Sequence, residues 1–221
     1  MRIDSISGSI DSDFNPFSKQ FIEEIIGAIV TAWSRMRNPN TDELEDQITF
    51  RLAGRLQHDN DFRELPFEVV PQYWLLDLQG HRLGRLDLRF KHLQSRRDYL
   101  AFEAKRLHVA YPSGFKTEYS VYLGDEGIMC FLTGKYSSGL PFAGMMAYVM
   151  DNDTENAWQG LCDAIDSRES LLMLKPRVAE EPLRYSTSLD PLRASALIAE
   201  THHESVEISM RITHVILPRE T

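Results

Sequence analysis

Gly84-Arg85-Leu86-Asp87-Leu88-Arg89-Phe90 and Tyr99-Leu100-Ala101-Phe102-Glu103-Ala104-Lys105-Arg106-Leu107 decide the fold, because both carry charge inside an apolar strand pattern. Alternation in the first predicts Leu86, Leu88 and Phe90 on one face and Arg85, Asp87 and Arg89 on the other. In the second, Leu100, Phe102 and Ala104 share a face, and Ala101, Glu103 and Lys105 share the opposite one. Charge in such a setting is costly unless it is paired or bound to a metal. Asp87 precedes Glu103 by 16 residues, a spacing suited to adjacent strands joined by a short connection. Paired as neighbours, the strands bring Asp87, Glu103 and Lys105 to one small patch. Two carboxylates and an ammonium there suit a divalent metal, a water and a phosphodiester. The plainer alternative is a wet charged sheet face with a Glu103–Arg89 or Asp87–Lys105 ion pair.

Working outward, residues 1–17 are polar and form a loose lead-in, and 18–221 read as a single domain. Ser18 is placed to cap a helix to about residue 37, with Phe21, Ile25, Ile29 and Trp33 at helical spacing and Ile22, Ile26 and Val30 widening the stripe. Asn38-Pro39-Asn40 breaks it, and a second helix follows over about 42–57. Strands are predicted at 67–78, 82–90 and 99–106, with Gln79-Gly80 as the first turn. A helix over 118–135, weakened by Gly124 and Gly127, precedes a buried strand from 142 to 150. Asp153 caps a further helix with Trp158, Leu161, Cys162 and Ile165 inward. A Pro-punctuated loop leads to a strand over 207–217, paired with residues near 194–200. This order describes an α/β protein with a central mixed sheet flanked by helices.

Composition is that of an ordinary globular chain of 221 residues, 43% hydrophobic and 26% charged. No apolar run approaches a membrane span, and the N-terminus lacks the basic and apolar regions of a secretory signal. Cys130 and Cys162 have no zinc-ligand spacing, which fits a reduced cytoplasmic setting. The net charge of −9 argues against nucleic acid until its distribution is considered: residues 81–106 hold eight Lys/Arg against three acids, a balance of +5 that leaves −14 elsewhere. A basic zone on an acidic body is a workable phosphate-facing surface. Arg85, Arg89 and Arg106, with Lys116 beyond, are its expected nucleic-acid contacts. The stretch 91–97 is equally readable as a solvated loop.

Asp87 with Glu103-Ala104-Lys105 resembles the PD-(D/E)xK superfamily, the restriction-endonuclease-like nucleases, over about residues 42–150. Asp87 matches the first acid, and Leu86 stands where many members carry Pro. The segment from Gly127 to Tyr136, followed by an apolar strand, is similar to the continuation in small stand-alone members, several of which serve in restriction or anti-phage defence. The resemblance implies a restriction-endonuclease-like fold and a metal-dependent endonuclease that hydrolyses DNA phosphodiester bonds. It implies Mg2+ (with Mn2+ able to substitute) on the two acids and a Lys105 that positions the attacking water. Many relatives add an acid from the preceding helix. Glu45 lies about 40° from the centre of the Leu44, Ile48, Leu52, Leu56 stripe and Glu43 about 160° away, so Glu45 is the inward candidate. Asp42 and Glu45 also have capping-box spacing, and a first-turn Glu suits the helix dipole. Mg2+ prefers hard oxygen ligands and keeps several waters, so a few carboxylates and a carbonyl suffice.

Other constellations are weaker. Glu200-Thr201-His202-His203-Glu204 lacks the two-His helical spacing of a zinc site and reads as a polar turn. His214, among Ile212 and Ile216, reads as a satisfied core histidine. Tyr119 and Tyr122 suit either core packing or stacking on nucleic acid beside Lys116. Residues 144–150 suit a buried strand or a docking strand. With no Walker loop, any NTP-driven step falls to a partner, so a homo-oligomer or a separate targeting or ATPase subunit is expected alongside DNA. The rival function is a catalytically silent domain of the same fold, acting as a nucleic-acid-binding or scaffold subunit.

Overall fold

The computed structural model describes residues 19–94, 99–136, 140–173, 196–204 and 209–219. The expected lead-in, the Ser18 cap, most of the Pro-punctuated loop and residues 95–98 of the basic zone lie outside them. In chain order the elements are α1 (Lys19–Ser34), α2 (Glu45–Gln57), α3 (Asn60–Arg63), β1 (Phe67–Leu76), β2 (Arg82–His92), β3 (Tyr99–Leu107), β4 (Val109–Tyr111) and β5 (Gly114–Lys116). They continue with α4 (Tyr119–Leu123), α5 (Met129–Leu132), β6 (Phe142–Val149), α6 (Thr154–Asp166), β7 (Leu197–Glu204) and β8 (Ser209–Pro218).

Six strands form one sheet in the order β1-β2-β3-β6-β8-β7. β1, β2 and β3 pair antiparallel, β3, β6 and β8 parallel, and β7 closes antiparallel on β8. The chain is therefore an α/β protein with a mixed central sheet flanked by helices. One core lies between the sheet and α1–α3, where Ile25, Ile29, Ile48 and Leu52 meet Leu88, Phe90 and Phe102. The other lies under α4–α6, where Tyr122, Phe131, Trp158 and Leu161 meet Met145, Ala147 and Ile212. β6 is buried almost throughout because it takes partners on both edges and helices on both faces. This makes it a core strand and excludes the docking-strand alternative. Among the described residues, no helix is long and apolar enough to cross a membrane.

Several local expectations are corrected. The helix over 118–135 is two short helices, because at Gly127 a Cβ would run into the Tyr122 carbonyl and the chain turns through a Gly127 N–H to Gly124 O bond of 2.9 Å. The β4–β5 hairpin and α3 were not expected, being only three or four residues each. Glu200 to Glu204 form the end of β7, not a turn; Thr201 and His203 point in while His202 and Glu204 point out, a polar strand with period two. α2 begins at Glu45, and the Leu44 N–H is capped by Gln47 Oε1 at 3.0 Å, so the Asp42–Glu45 capping box is not made. Asp153 does cap α6, accepting from Asn156 N–H at 3.0 Å.

Candidate functional site

The site arises from an irregularity in β1 and β2. Val69 on β1 and Leu88 and Phe90 on β2 enter the α1–α3 core, whereas Leu86 enters the opposite core and Leu75 packs against it. Both strands thus exchange faces at one level, where Gln72 takes a left-handed φ of 52° and no pair forms between Pro71↔Leu88 and Tyr73↔Leu86. The register is the same on both sides and shifts only later, between Leu75 and Leu76. The expectation that Leu86 shares a face with Leu88 and Phe90 is corrected by this exchange. So is the grouping of Arg85 with Arg89: Arg85 turns to Asp46 on α2 at 2.8 Å, and Arg89 lies between the Tyr73 and Tyr99 rings on the other side. Pro71 is the sequence signal that was available, since proline inside a strand pattern marks an edge or a bulge.

At the same level β2 leaves β3. Their pairing ends at Leu88↔Phe102, so beyond that pair β3 has only β6 beside it. Carboxylates take the vacated ladder positions. Asp87 Oδ2 accepts from Ala104 N–H at 2.8 Å, and Glu45 Oε2, at the start of α2, accepts from Arg106 N–H at 3.0 Å. Gln72 holds Asp87 Oδ1 at 3.0 Å and reaches Asp46 at 3.4 Å. Gln72, Asp46 and the Ala104 carbonyl were not among the expected site groups.

Lys105 Nζ occupies the middle of the gap. It lies 2.8 Å from Glu103 Oε1, 3.1 Å from Glu45 Oε1, 2.7 Å from the Ala104 carbonyl and 3.9 Å from Asp87 Oδ2. The geometry therefore brings together Asp87, Glu103, Lys105 and Glu45, while Glu43 points away to Arg51 at 2.6 Å. Asp87, Glu103 and Lys105 are buried, and one ammonium faces three carboxylates. Burial raises the Glu103 carboxyl well above its ordinary range, with Asp87 adding and Lys105 opposing. Glu45 is raised for the same leading reason. Burial alone would lower Lys105, but Glu103, Glu45 and Asp87 together hold it above its ordinary value.

Among the described residues three buried side-chain atoms lack a hydrogen-bond partner, Gln72 Oε1, Arg89 Nε and Glu103 Oε2; of these, Glu103 Oε2 is the carboxylate oxygen at the gap. Together with the carboxylates of Asp87 and Glu45 and the Ala104 carbonyl, it forms a donor set of hard oxygens, the kind that Mg2+ prefers. Among the described residues, no three acid, His or Cys side chains are already gathered as metal ligands. The Lys105 ammonium lies between them instead, standing where positive charge is required.

The expected nucleic-acid contacts separate. Arg85 and Arg106 flank the gap, with Arg106 Nη1 on the Glu43 carbonyl at 3.0 Å. Arg89 is enclosed by its two tyrosines, away from the gap, and Lys116 lies over the Tyr111 ring at 4.3 Å on the β4–β5 hairpin. Tyr122 is fully buried against His214, which excludes it as a stacking platform, and Tyr119 Oη meets His108 Nε2 at 2.9 Å. No family model, curated protein or solved structure gives a significant match to the chain.

Proposed function

We propose that this chain is a Mg2+-dependent endonuclease of restriction-endonuclease-like fold, cutting DNA phosphodiesters by attack of water. The observation that supports it best is the orphaned Glu103 Oε2 in a buried oxygen-rich gap shared with Asp87, Glu45 and Lys105. Asp87, Glu103, the Ala104 carbonyl and, from α2, Glu45 would hold the metal. When bound, Mg2+ supplies Lewis-acid polarisation of the phosphoryl group and a more acidic water.

The chain's own groups do the rest. The three N–H groups of Lys105 here go to Glu103, Glu45 and the Ala104 carbonyl. With those oxygens turned to the metal, Lys105 would keep its proton and donate toward the attacking water and the phosphoryl oxygens, where negative charge grows as the new P–O bond forms. The water's proton passes to solvent, and the bond to the leaving sugar oxygen breaks with that oxygen protonated from solvent. Asp87 is fixed from two sides, by the Ala104 amide and Gln72, so its second oxygen cannot swing out of the gap. Mg2+ or Mn2+ should support nicking of a plasmid, Ca2+ should replace them poorly, and EDTA should abolish it. Asp87→Ala and Glu103→Ala should each remove metal binding and cleavage together. Cleavage that persists in EDTA or in Asp87→Ala would remove this reading.

A second reading is favoured by the position of Lys105. Its ammonium already bridges the carboxylates, so the cluster could serve only to close the gap between β2 and β3 in a catalytically silent, nucleic-acid-binding or scaffold domain. Such a domain would unfold on loss of Asp87 and would gain no thermal stability from Mg2+.

A further inference from the structure

Beyond the exchange of faces, β1 and β2 continue together as an arm. The pairs from Tyr73↔Leu86 to Leu76↔Arg82 extend it by roughly 10 Å, three residue rises along β1. Its tip is held rigid: Asp77 accepts from Gln79 N–H at 2.9 Å and His81 N–H at 2.8 Å, and Gly80 takes the left-handed φ of 85° that the turn requires. Because β2 runs antiparallel to β3, this arm leaves the sheet at the end where β3 passes Glu103 and Lys105.

The face of the arm turned toward α2 carries Trp74, 42% exposed, with the Arg82 guanidinium 4.3 Å and the Arg85 guanidinium 5.7 Å from its ring centre. Trp74 pairs with Arg85, two residues from Asp87, so the ring lies about 7 Å along the strand from the carboxylate cluster. The arm is tied to that cluster through α2: Arg85 bonds Asp46, the neighbour of Glu45, and Gln72 reaches both Asp46 and Asp87. An indole that is 42% exposed and has two guanidinium groups at its ring offers a surface for an unpaired base and positive charge for the flanking phosphates. A duplex, whose bases already stack on one another, has no use for such a ring.

We infer that the β1–β2 arm grips an unpaired nucleic-acid strand beside the carboxylate cluster, with Trp74 stacked on a base and Arg82 facing the adjacent phosphate. The inference deepens the nuclease reading and rests on it for why a strand should lie there. The molecule contains its own reporter, because Trp33 and Trp158 are only 4% and 2% exposed and Trp74 is the accessible indole. Titrating oligothymidylate into the full chain in EDTA should quench tryptophan emission. Read by fluorescence anisotropy of a dye-labelled oligothymidylate, Trp74→Ala should weaken binding about tenfold or more without lowering the melting temperature, and Arg82→Ala should weaken it with a smaller salt dependence. Trp74→Phe should bind normally and lose the signal. Oligodeoxyuridylate against oligouridylate, which differ only in the sugar, establishes whether the 2′-hydroxyl matters.

Equal affinity of wild type and Trp74→Ala, or equal quenching by duplex, would overturn the inference. So would self-association that is abolished in Trp74→Ala while the oligonucleotide produces no response, since that result assigns the arm to a second copy of the chain. EDTA keeps this measurement apart from catalysis. Stacking without any metal-dependent cleavage would leave the arm in place and remove the nuclease; cleavage without stacking would do the reverse.

Discussion

Glu103 is the residue at which stability and the proposed chemistry oppose each other. Its folded carboxyl is raised above the ordinary 4.5 by burial first and by Asp87 second. A carboxyl raised on folding contributes stability below its unfolded value and loses it as pH rises through the folded one. In its ionised form the group is therefore a burden on the metal-free protein, one that a bound cation would relieve. Glu103→Gln should raise the melting temperature of metal-free protein and should abolish the further rise that Mg2+ gives the wild type. Thermal denaturation with and without Mg2+ checks both halves, and a variant that melts well below wild type contradicts the assignment.

Among the elements, β7, β8 and α4 are tied by a buried chain of polar groups with a single allowed direction. The Leu172 carbonyl can only accept, so His203 Nδ1 donates to it at 2.6 Å and Nε2 accepts from Thr201 at 2.7 Å. Thr201 Oγ1 must then accept from His214 Nε2 at 2.8 Å, leaving His214 Nδ1 to accept from Tyr122 at 2.9 Å. Each donor meets an acceptor only while both imidazoles are neutral. Burial pushes His214 down to about 3 from an ordinary 6.5 and lowers His203 as well. Stability from these groups is complete above 6.5 and should fall as pH drops from there toward about 3. Denaturant titrations across that window should show the slope, and His214→Phe should flatten it.

A second test at this scale concerns Gly144 in β6. A Cβ there would run into the Phe102 ring, so Gly144→Ala should cost about 1–3 kcal/mol in urea denaturation. Much of this architecture was legible in the sequence. Alternation separated Leu100, Phe102 and Ala104 from Glu103 and Lys105, and helical angle separated Glu45 from Glu43. The face exchange at Gln72 was signalled only by Pro71 and not by the alternation itself, because a left-handed residue resets strand parity even where the register is kept. The break in the helix over 118–135 depends on a carbonyl that approaches Gly127 only once the turn exists. The polar strand at 200–204 is set by its pairing with β8, which no local pattern encodes.

For the whole molecule, the basic zone of +5 on a body of −14 provides few phosphate contacts, and Arg85, Arg89 and Lys116 are each engaged by a ring or a carboxylate. Binding of duplex DNA by the isolated chain should therefore be weak and steeply salt-dependent. Self-association or a separate targeting subunit would then supply the missing affinity. Sedimentation with a salt titration checks this, and tight binding by a monomer at physiological salt would make the partner unnecessary.

On the proposed reading, the gap between β2 and β3 is built around a reaction, with Lys105 acting on the water and the phosphoryl group. Single-turnover cleavage of DNA at saturating Mg2+, wild type against Lys105→Ala, addresses it directly. Removal of a group that acts mainly in the transition state should slow cleavage by about 10²-fold or more while Mg2+ binding is retained. Cutting at the wild-type rate by a folded, metal-bound Lys105→Ala would contradict the account.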